Sequence, residues 1–389
     1  MISVCIPSKD AGPGFAANLR ALREQRLEEE VEIVVVDSSS RDGTADAARA
    51  AGARVLVIPP EDFNHGRTRN LLAQQACGDI LVFTVQDARP AHPRFLAELT
   101  EPLRADAELS GVTGKEIPHA DADLIARWEV EQHNRLTDRG PRRKHMPAPA
   151  AYEAASFGQR LDWVGFDNVC GALPRRVWEE FPFAELEFAE DVDWGRRVLE
   201  ASGVLLHNPA ALIHHSHNYP PEKRLRRYFV GRLALNRILR MPAVPPAPVR
   251  RVWEAMEELR NDVEVFCTSL NGDRTPQYLL RLRRPPRYLF VRGWKKLRLL
   301  LSPLIERILW SNHPANCLRE YFNFVAWNLG NEYGPFNAEQ ASELVRQLYA
   351  IVMGSFLADQ YYACEQAGGI ADRFSTLRAS LEKAGQEPS

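Results

Sequence analysis

The sequence predicts an α/β fold, a doubly wound and mainly parallel sheet with an added helical C-terminal domain. Three observations carry this. Over roughly the first hundred residues, short apolar runs alternate with stretches of helical apolar spacing. The runs are apolar on both faces, as strands covered by helices on both sides must be. Beyond the Pro-rich MPAVPPAPV at 241–249 almost everything has helical periodicity.

Ile2 to Ile6 is the first strand, ended by Pro7, and Phe15 to Leu27 carries apolar groups at helical spacing. Val31 to Val36 is a β-branched strand ended by Asp37. Asp42-Gly43-Thr44 opens an alanine-rich helix that Gly52 stops, and Arg54 to Ile58 is the third strand. Gly66 to Cys77 is a helix ended by Gly78, and Asp79 to Val85 is a strand ended by Gln86-Asp87. Such sheets bind ligands beyond the carboxyl ends of their strands, which singles out Ser8, Asp37, Asn64 and Asp87. Further on, Asp121 to Thr137 is a charged helix and the basic, Pro-rich Arg139 to Ala151 is a loop. Ala189 to Ala201 is a helix, Val204 to Leu206 and Ala211 to His214 are short strands, and Pro220-Pro221 starts a basic helix through about Leu239. The expected domains are residues 1–240, a linker at 241–249, and a helical domain at 250–389.

Of 389 residues, 45% are hydrophobic and 26% charged, which excludes a disordered, collagen-like or disulfide-miniprotein chain. Lys+Arg (49) nearly balances Asp+Glu (51), so composition gives nucleic-acid binding no support. No apolar run approaches the roughly 18 residues of a membrane span, and the start reads as a strand rather than a secretory signal. The six scattered cysteines form no C-x-x-C pair and read as free thiols of a reducing cytoplasm.

Five constellations carry chemical interest. Pro7-Ser8-Lys9 and Asp37-Ser38-Ser39-Ser40 follow the first two strands, where an acid and backbone N–H groups suit a nucleotide; turn and cap roles are the plain alternative. Phe63-Asn64-His65-Gly66-Arg67-Thr68-Arg69 joins cations to a helix start, which suits a pyrophosphate or a surface cap equally. Gln86-Asp87 ends an apolar strand with one acid, and Mg²⁺ or Mn²⁺ on a nucleotide diphosphate needs only one or two. Glu190-Asp191-Val192-Asp193 opens a helix, where acids serve as caps or as a general base toward a hydroxyl. His214, His215 and His217 follow a short strand, and so dense a cluster suits metal or phosphate contact.

Together and in this order, CIPSKDAG, EIVVVDSSSRDGT, FNHGRTRN, GDILVFTVQDARP, FDNVCGALPRRVWEE, FAEDVDWGRRVLEASG and HHSHNY before RYFVGR resemble family 2 glycosyltransferases of the GT-A fold, in particular the rhamnosyltransferase-like group. The likeness spans roughly residues 1 to 240. It implies that Asp37 contacts the base or ribose beside Pro7, Ser8 and Ser38, and that His65, Gly66 and Arg69 face the nucleotide. Gln86-Asp87 takes the place of the family's D-x-D motif, with Gln86 departing from the first acid and Asp87 holding Mg²⁺ or Mn²⁺. His215, with His217 as runner-up, takes the place of the second metal ligand. Asp191 matches the catalytic base of inverting members, with Glu190 beside it, and Asp167, Asn168 and Trp194 are expected in the donor or acceptor pocket.

The function implied is inverting transfer from a nucleotide-diphosphate sugar, dTDP-L-rhamnose first, to a cell-envelope glycan or lipid-linked acceptor. Mannosyl, galactosyl or N-acetylhexosaminyl transfer on the same fold stays open. A nucleotidyltransferase is disfavoured because CIPSKDAG lacks a Gly-rich loop. A non-catalytic sugar-binding protein is disfavoured because Asp37, Asp87, Asp191 and the histidines all persist. From Arg281 to Trp310 nine Lys/Arg interleave with Trp, Phe and Leu against one acid, Glu306. That composition suits either packing on the catalytic domain or peripheral contact with anionic membrane, the latter expected here at the cytoplasmic face.

Overall fold

A computed structural model describes residues 1–137, 140–243 and 336–368, with scattered positions between Val252 and Tyr333. The chain divides into two compact units. Among the described residues, one takes Met1–Ala122 and Glu129–His217, the other Asp123–Trp128 and those from Asn218 to Gly368. The division thus falls at 217/218, ahead of the expected boundary at 240, because the basic helix after His217 packs within the second unit. Residues 244–249 of the expected linker lie outside the described residues.

The first unit is built on β1 (Ile2–Ser8), α1 (Phe15–Arg23), β2 (Val31–Asp37), α2 (Thr44–Ala50), β3 (Arg54–Val57), α3 (His65–Gln75), β4 (Ile80–Phe83), β5 (Arg89–Pro90), α4 (Phe95–Ala105) and β6 (Leu109–Ile117). There follow α5 (Leu124–Thr137), β7 (Arg142–Lys144), α6 (Pro149–Ala154), α7 (Phe157–Val164), β8 (Gly171–Pro174), α8 (Arg175–Glu180), α9 (Glu190–Glu200) and β9 (Val204–His214). The sheet runs β3-β2-β1-β4-β8-β6-β9-β5, with β7 also on β9. Pairings among β1 to β4 and between β6 and β9 are parallel, whereas β8 is antiparallel to both β4 and β6.

Alternation explains the core. Ile2, Val4 and Ile6 point to the β1 face that Phe15, Leu19 and Leu22 of α1 cover, and all six are at most 2% exposed. Removing Phe15 to Ala would cost about 3–5 kcal/mol on this ground. The register sets Ser8 opposite Asp37, so two ligand-side residues leave the sheet together. On the other side of the sheet, Glu116 pairs with Ile213 and Ile117 with His214, after a register shift between Thr113 and Lys115. Gly114 sits in that irregularity, where a Cβ would meet the Ala211 carbonyl oxygen at 2.3 Å.

Two expectations change. The stretch 139–151, read as a loop, contains β7 and the start of α6. Arg142 pairs with Asp162, Arg143 with Asp106 and Glu108, and Lys144 Nζ donates to the Gly165 carbonyl at 2.8 Å, so tertiary partners override the local breakers. The two short strands at 204–214 are one, β9, because Asn208 at the apparent break is itself held, its Nδ2 donating to the Glu98 carbonyl at 2.8 Å.

In the second unit, α10 (Pro221–Ile238) packs on α11 (Ala338–Gln366). Phe229 and Leu233 meet Val352, Phe356 and Tyr361, and Arg232 pairs with Asp359 at 2.8 Å. No described helix is long and apolar enough to cross a membrane. The basic stretch Arg281 to Trp310 lies outside the described residues. Cys5, Cys77, Cys170 and Cys364 are free thiols, and Cys267 and Cys317 lie outside the described residues.

Candidate active site

The carboxyl ends of β1 and β2 are tied to each other. Asp37 accepts from Ser8 Oγ at 3.0 Å, Ser40 Oγ at 2.6 Å and Ser40 N at 2.9 Å. Across the following loops, Asp10 N donates to Ser40 Oγ at 2.8 Å, Ala11 N to Thr44 Oγ1 at 2.9 Å and Gly12 N to Asp42 Oδ2 at 2.8 Å. Asp10 and Ser39 hold positive φ values of 42° and 56°, so strain collects in these two loops. Ser8, Asp37 and Ser38 are all at most 3% exposed, while Pro7 is half-buried. These bonds shape the two loops at the strand ends and hold the Asp37 carboxylate in place between them.

Gln86 is spent in the same way. Its Oε1 accepts from Lys9 N at 2.7 Å and its Nε2 donates to Lys9 O at 3.1 Å, while Asn18 Nδ2 donates to the Gln86 carbonyl at 2.9 Å. The amide clamps the end of β1 to the end of β4. A carboxylate could not supply the donating half of that clamp.

Asp87, one residue on, turns outward with its side chain 40% exposed. Its Oδ2 lies 3.3 Å from His217 Nδ1 and its Oδ1 3.8 Å from His215 Nε2. One ligand atom from each of Asp87, His215 and His217 falls within 4.8 Å of the others. One carboxylate and two imidazoles are a donor set that a transition ion such as Mn²⁺ accepts, whereas Mg²⁺ would rely on the Asp87 carboxylate with phosphate oxygens and water. The expected metal residues therefore converge, and His217 joins His215 instead of replacing it. Behind them, His215 Nδ1 is hydrogen-bonded to Glu116 Oε2, and His119 Nε2 lies 3.1 Å from the Asp87 carbonyl. Burial disfavours charge on His215, but the Glu116 carboxylate outweighs burial and lifts the imidazole to about 9.

The acids of α9 part company. Ala189 precedes the helix at φ 59°, a left-handed conformation that turns the chain sharply into Glu190. Glu190 is buried and ion-paired, its Oε1 3.0 Å from Arg69 Nη1 and 3.1 Å from Asn168 Nδ2. Burial raises its proton affinity, yet the charges of Arg69 and His65 win and hold Glu190 ionised. Asp191 accepts from Asn168 N at 3.2 Å and Val192 N at 2.8 Å. Burial first, then the neighbouring Glu190 and Asp167, push Asp191 up to about 8 despite its helix N-terminal position. Asp193 belongs to neither group, being bonded to Arg196 and Arg197.

Other expected residues take structural places. Arg69 is 4% exposed and its Nη1 faces Glu190. His65 lies beside it, 3.4 Å from Nη1. Gly66 is needed for close packing, since a Cβ there would meet the Ala184 carbonyl oxygen at 1.9 Å. Trp194 is fully buried, its ring centroid 4.4 Å from that of Phe166 and its Nε1 donating to the Phe181 carbonyl, so it belongs to the core and not to a pocket. Asn168 is likewise 0% exposed; instead of lining the pocket it joins Glu190 through its side chain and Asp191 through its backbone. Asp167 is half-buried, its proton affinity raised by burial and by the Glu116 carboxylate beside it. Glu116 is absent from the sequence reading; a lone acid at the end of an apolar strand gives no signal until β9 is paired beside it.

Residues 3–154 match the family model described as glycosyl transferase family 2. The chain is similar to the O-antigen chain rhamnosyltransferase WbaN of Salmonella anatum, 29% identical over 231 residues, covering 58% of this chain and 70% of the relative. It is similar to the O-antigen chain rhamnosyltransferase RfbN of Salmonella typhimurium strain LT2, 29% identical over 235 residues, covering 59% and 70%. Among solved structures, a mannosyltransferase from Pyrobaculum calidifontis in complex with GDP-Man and Mn²⁺ aligns over 85% of this chain and 87% of its own, with TM-score 0.46 and 18% identity.

Proposed function

We propose that this chain, whose residues 3–154 form a family 2 glycosyltransferase domain, is an inverting transferase that moves L-rhamnose from dTDP-L-rhamnose to a hydroxyl of a cell-envelope glycan or lipid-linked acceptor. The observation that carries the inverting reading is Asp191, a carboxyl of raised proton affinity at the start of α9. The sugar and the acceptor class are supported by the two relatives, both named O-antigen chain rhamnosyltransferases.

In this reading the acceptor hydroxyl gives its proton to Asp191 as its oxygen attacks the anomeric carbon. The bond from that carbon to the diphosphate breaks on the opposite face, and the diphosphate leaves with the electron pair. A carboxylate of raised proton affinity is the stronger base toward an alcohol. Asn168 holds Asp191 by its backbone N–H and keeps Glu190 with Arg69, so one acid is kept charged and the other is poised to titrate. Asp87, His215 and His217 would hold Mg²⁺ or Mn²⁺, which offsets charge on the diphosphate when bound. In this reading the reaction runs in the cytoplasm, and the basic, aromatic sequence at 281–310 supports peripheral contact with anionic membrane, where lipid-linked acceptors lie.

A donor screen tests the reading. The protein is incubated with dTDP-L-rhamnose and with UDP- and GDP-hexoses, and nucleotide release is measured with the anomeric configuration of any product. Release from dTDP-L-rhamnose above the others, with inversion, is the expected result. Preference for another nucleotide sugar overturns the rhamnose assignment, and retention overturns the role of Asp191.

A further inference from the structure

We infer that Glu116 is a positioning residue for the metal site, fixing the His215 ring so that Nε2 faces the ion. The inference rests on the metal reading of Asp87, His215 and His217 and adds a residue that this reading does not use.

The two ring nitrogens of His215 have different neighbours. Nδ1 is bonded to Glu116 Oε2, and Nε2 lies 3.8 Å from Asp87 Oδ1, on the side where the three ligand atoms converge. The backbone fixes both partners: Glu116 is paired in β6 against β9, and His215 N donates to the Ile117 carbonyl at 2.9 Å. Asn134 Nδ2 donates to the Glu116 carbonyl at 2.8 Å and anchors that strand end from α5. The Glu116 and His215 side chains are 15% and 10% exposed, so little water competes for their bond. Without a partner on Nδ1, an imidazole can flip about its Cβ–Cγ bond and present the wrong nitrogen. A carboxylate on Nδ1 prevents the flip and makes Nε2 a better donor to a cation. Loss of such a partner typically weakens metal affinity about 10- to 100-fold.

The test is Mn²⁺ titration followed by electron paramagnetic resonance, on the full chain, with Mn²⁺ alone and with dTDP added. Wild type, Glu116→Gln, His215→Ala and the double variant are compared, each first checked by thermal melting. The expected result is a weakening of about 10- to 100-fold for Glu116→Gln, and less than about twofold further loss when that change is added to His215→Ala. The second comparison separates positioning through His215 from general loosening of the sheet, which would act equally in both backgrounds. An equal effect in both backgrounds, or wild-type affinity in a folded Glu116→Gln, overturns the inference while leaving the metal site standing. Wild-type protein that takes up no Mn²⁺ under either condition overturns the metal reading itself. If Glu116→Gln does not fold, Glu116→Asp replaces it. This keeps the charge but withdraws it from Nδ1, and unchanged affinity there overturns the inference in the same way.

Discussion

Arg69 Nη1 lies 3.0 Å from Glu190 Oε1, and each side chain is only 5% exposed. This buried pair separates the roles of two adjacent acids, because Glu190 is held ionised by Arg69 while Asp191 is left to titrate. Asp191→Asn should therefore fold and bind donor but transfer sugar at least about a hundredfold more slowly. Glu190→Gln should show its main defect in stability, about 3–5 kcal/mol, since it strands a buried guanidinium. Steady-state transfer rates and thermal melts of both variants decide this. A greater kinetic loss in a well-folded Glu190→Gln would exchange the two roles.

The pH dependence follows from Asp191, pushed from an ordinary 3.8 up to about 8 by burial, Glu190 and Asp167, with Arg69 opposing. In the free protein the base form grows as pH rises, so kcat/KM should climb to a limb near 8. Stability moves the other way. Between 3.8 and about 8 the folded state keeps a proton that the unfolded chain releases, so stability falls as pH rises through that window. Asp191→Asn should flatten this decline and melt higher than wild type at pH 8. Parallel melting curves for the two proteins from pH 5 to 8 would remove Asp191 as the source.

Metal removal gives a third outcome. Activity should be abolished by excess chelator and restored by Mn²⁺ or Mg²⁺, and Asp87→Ala should lower Mn²⁺ affinity by about tenfold or more. Full turnover in chelator would leave the Asp87–His215–His217 cluster without a catalytic part.

Restoring the family's first acid should not help. Gln86 uses both ends of its amide on Lys9, so Gln86→Asp loses the donor and falls short of the acceptor contact. The expected result is unchanged Mn²⁺ affinity with a loss of about 1–2 kcal/mol in stability from the broken clamp. Tighter Mn²⁺ binding by this variant would mean that position 86 faces the ion after all.

The sheet strands were legible because their apolar runs are local signals: β3 and β4 lie within the predicted stretches, and β1 and β2 start where predicted and run on through Ser8 and Asp37. The convergence of Asp87, His215 and His217 was legible because each follows the carboxyl end of a strand, and such ends gather on one rim of an α/β sheet. What stayed hidden depends on chain-distant partners. Trp194 and Asn168 carry the same letters whether they line a pocket or fill a core, and only Phe166, Phe181 and Glu190 around them decide it. β7 hides behind Pro and Arg because its partner is β9, and Glu116 gains meaning only from His215.

Strand β8 lies between β4 and β6 although it follows β6 in the chain. The route by which the molecule reaches its native state is shaped by this placement. Glu116 meets His215 across 99 residues. Contacts so far apart carry a loop-closure cost that earlier, local pairings do not. The crowding of Glu116, Asp167 and Asp191 is therefore expected to develop on the native side of the folding barrier. Such tension hardly touches the rate of folding but hastens unfolding. Stopped-flow measurements should find Asp191→Asn folding at the wild-type rate and unfolding more slowly. The acids gathered for chemistry would then also set how long each folded molecule lasts.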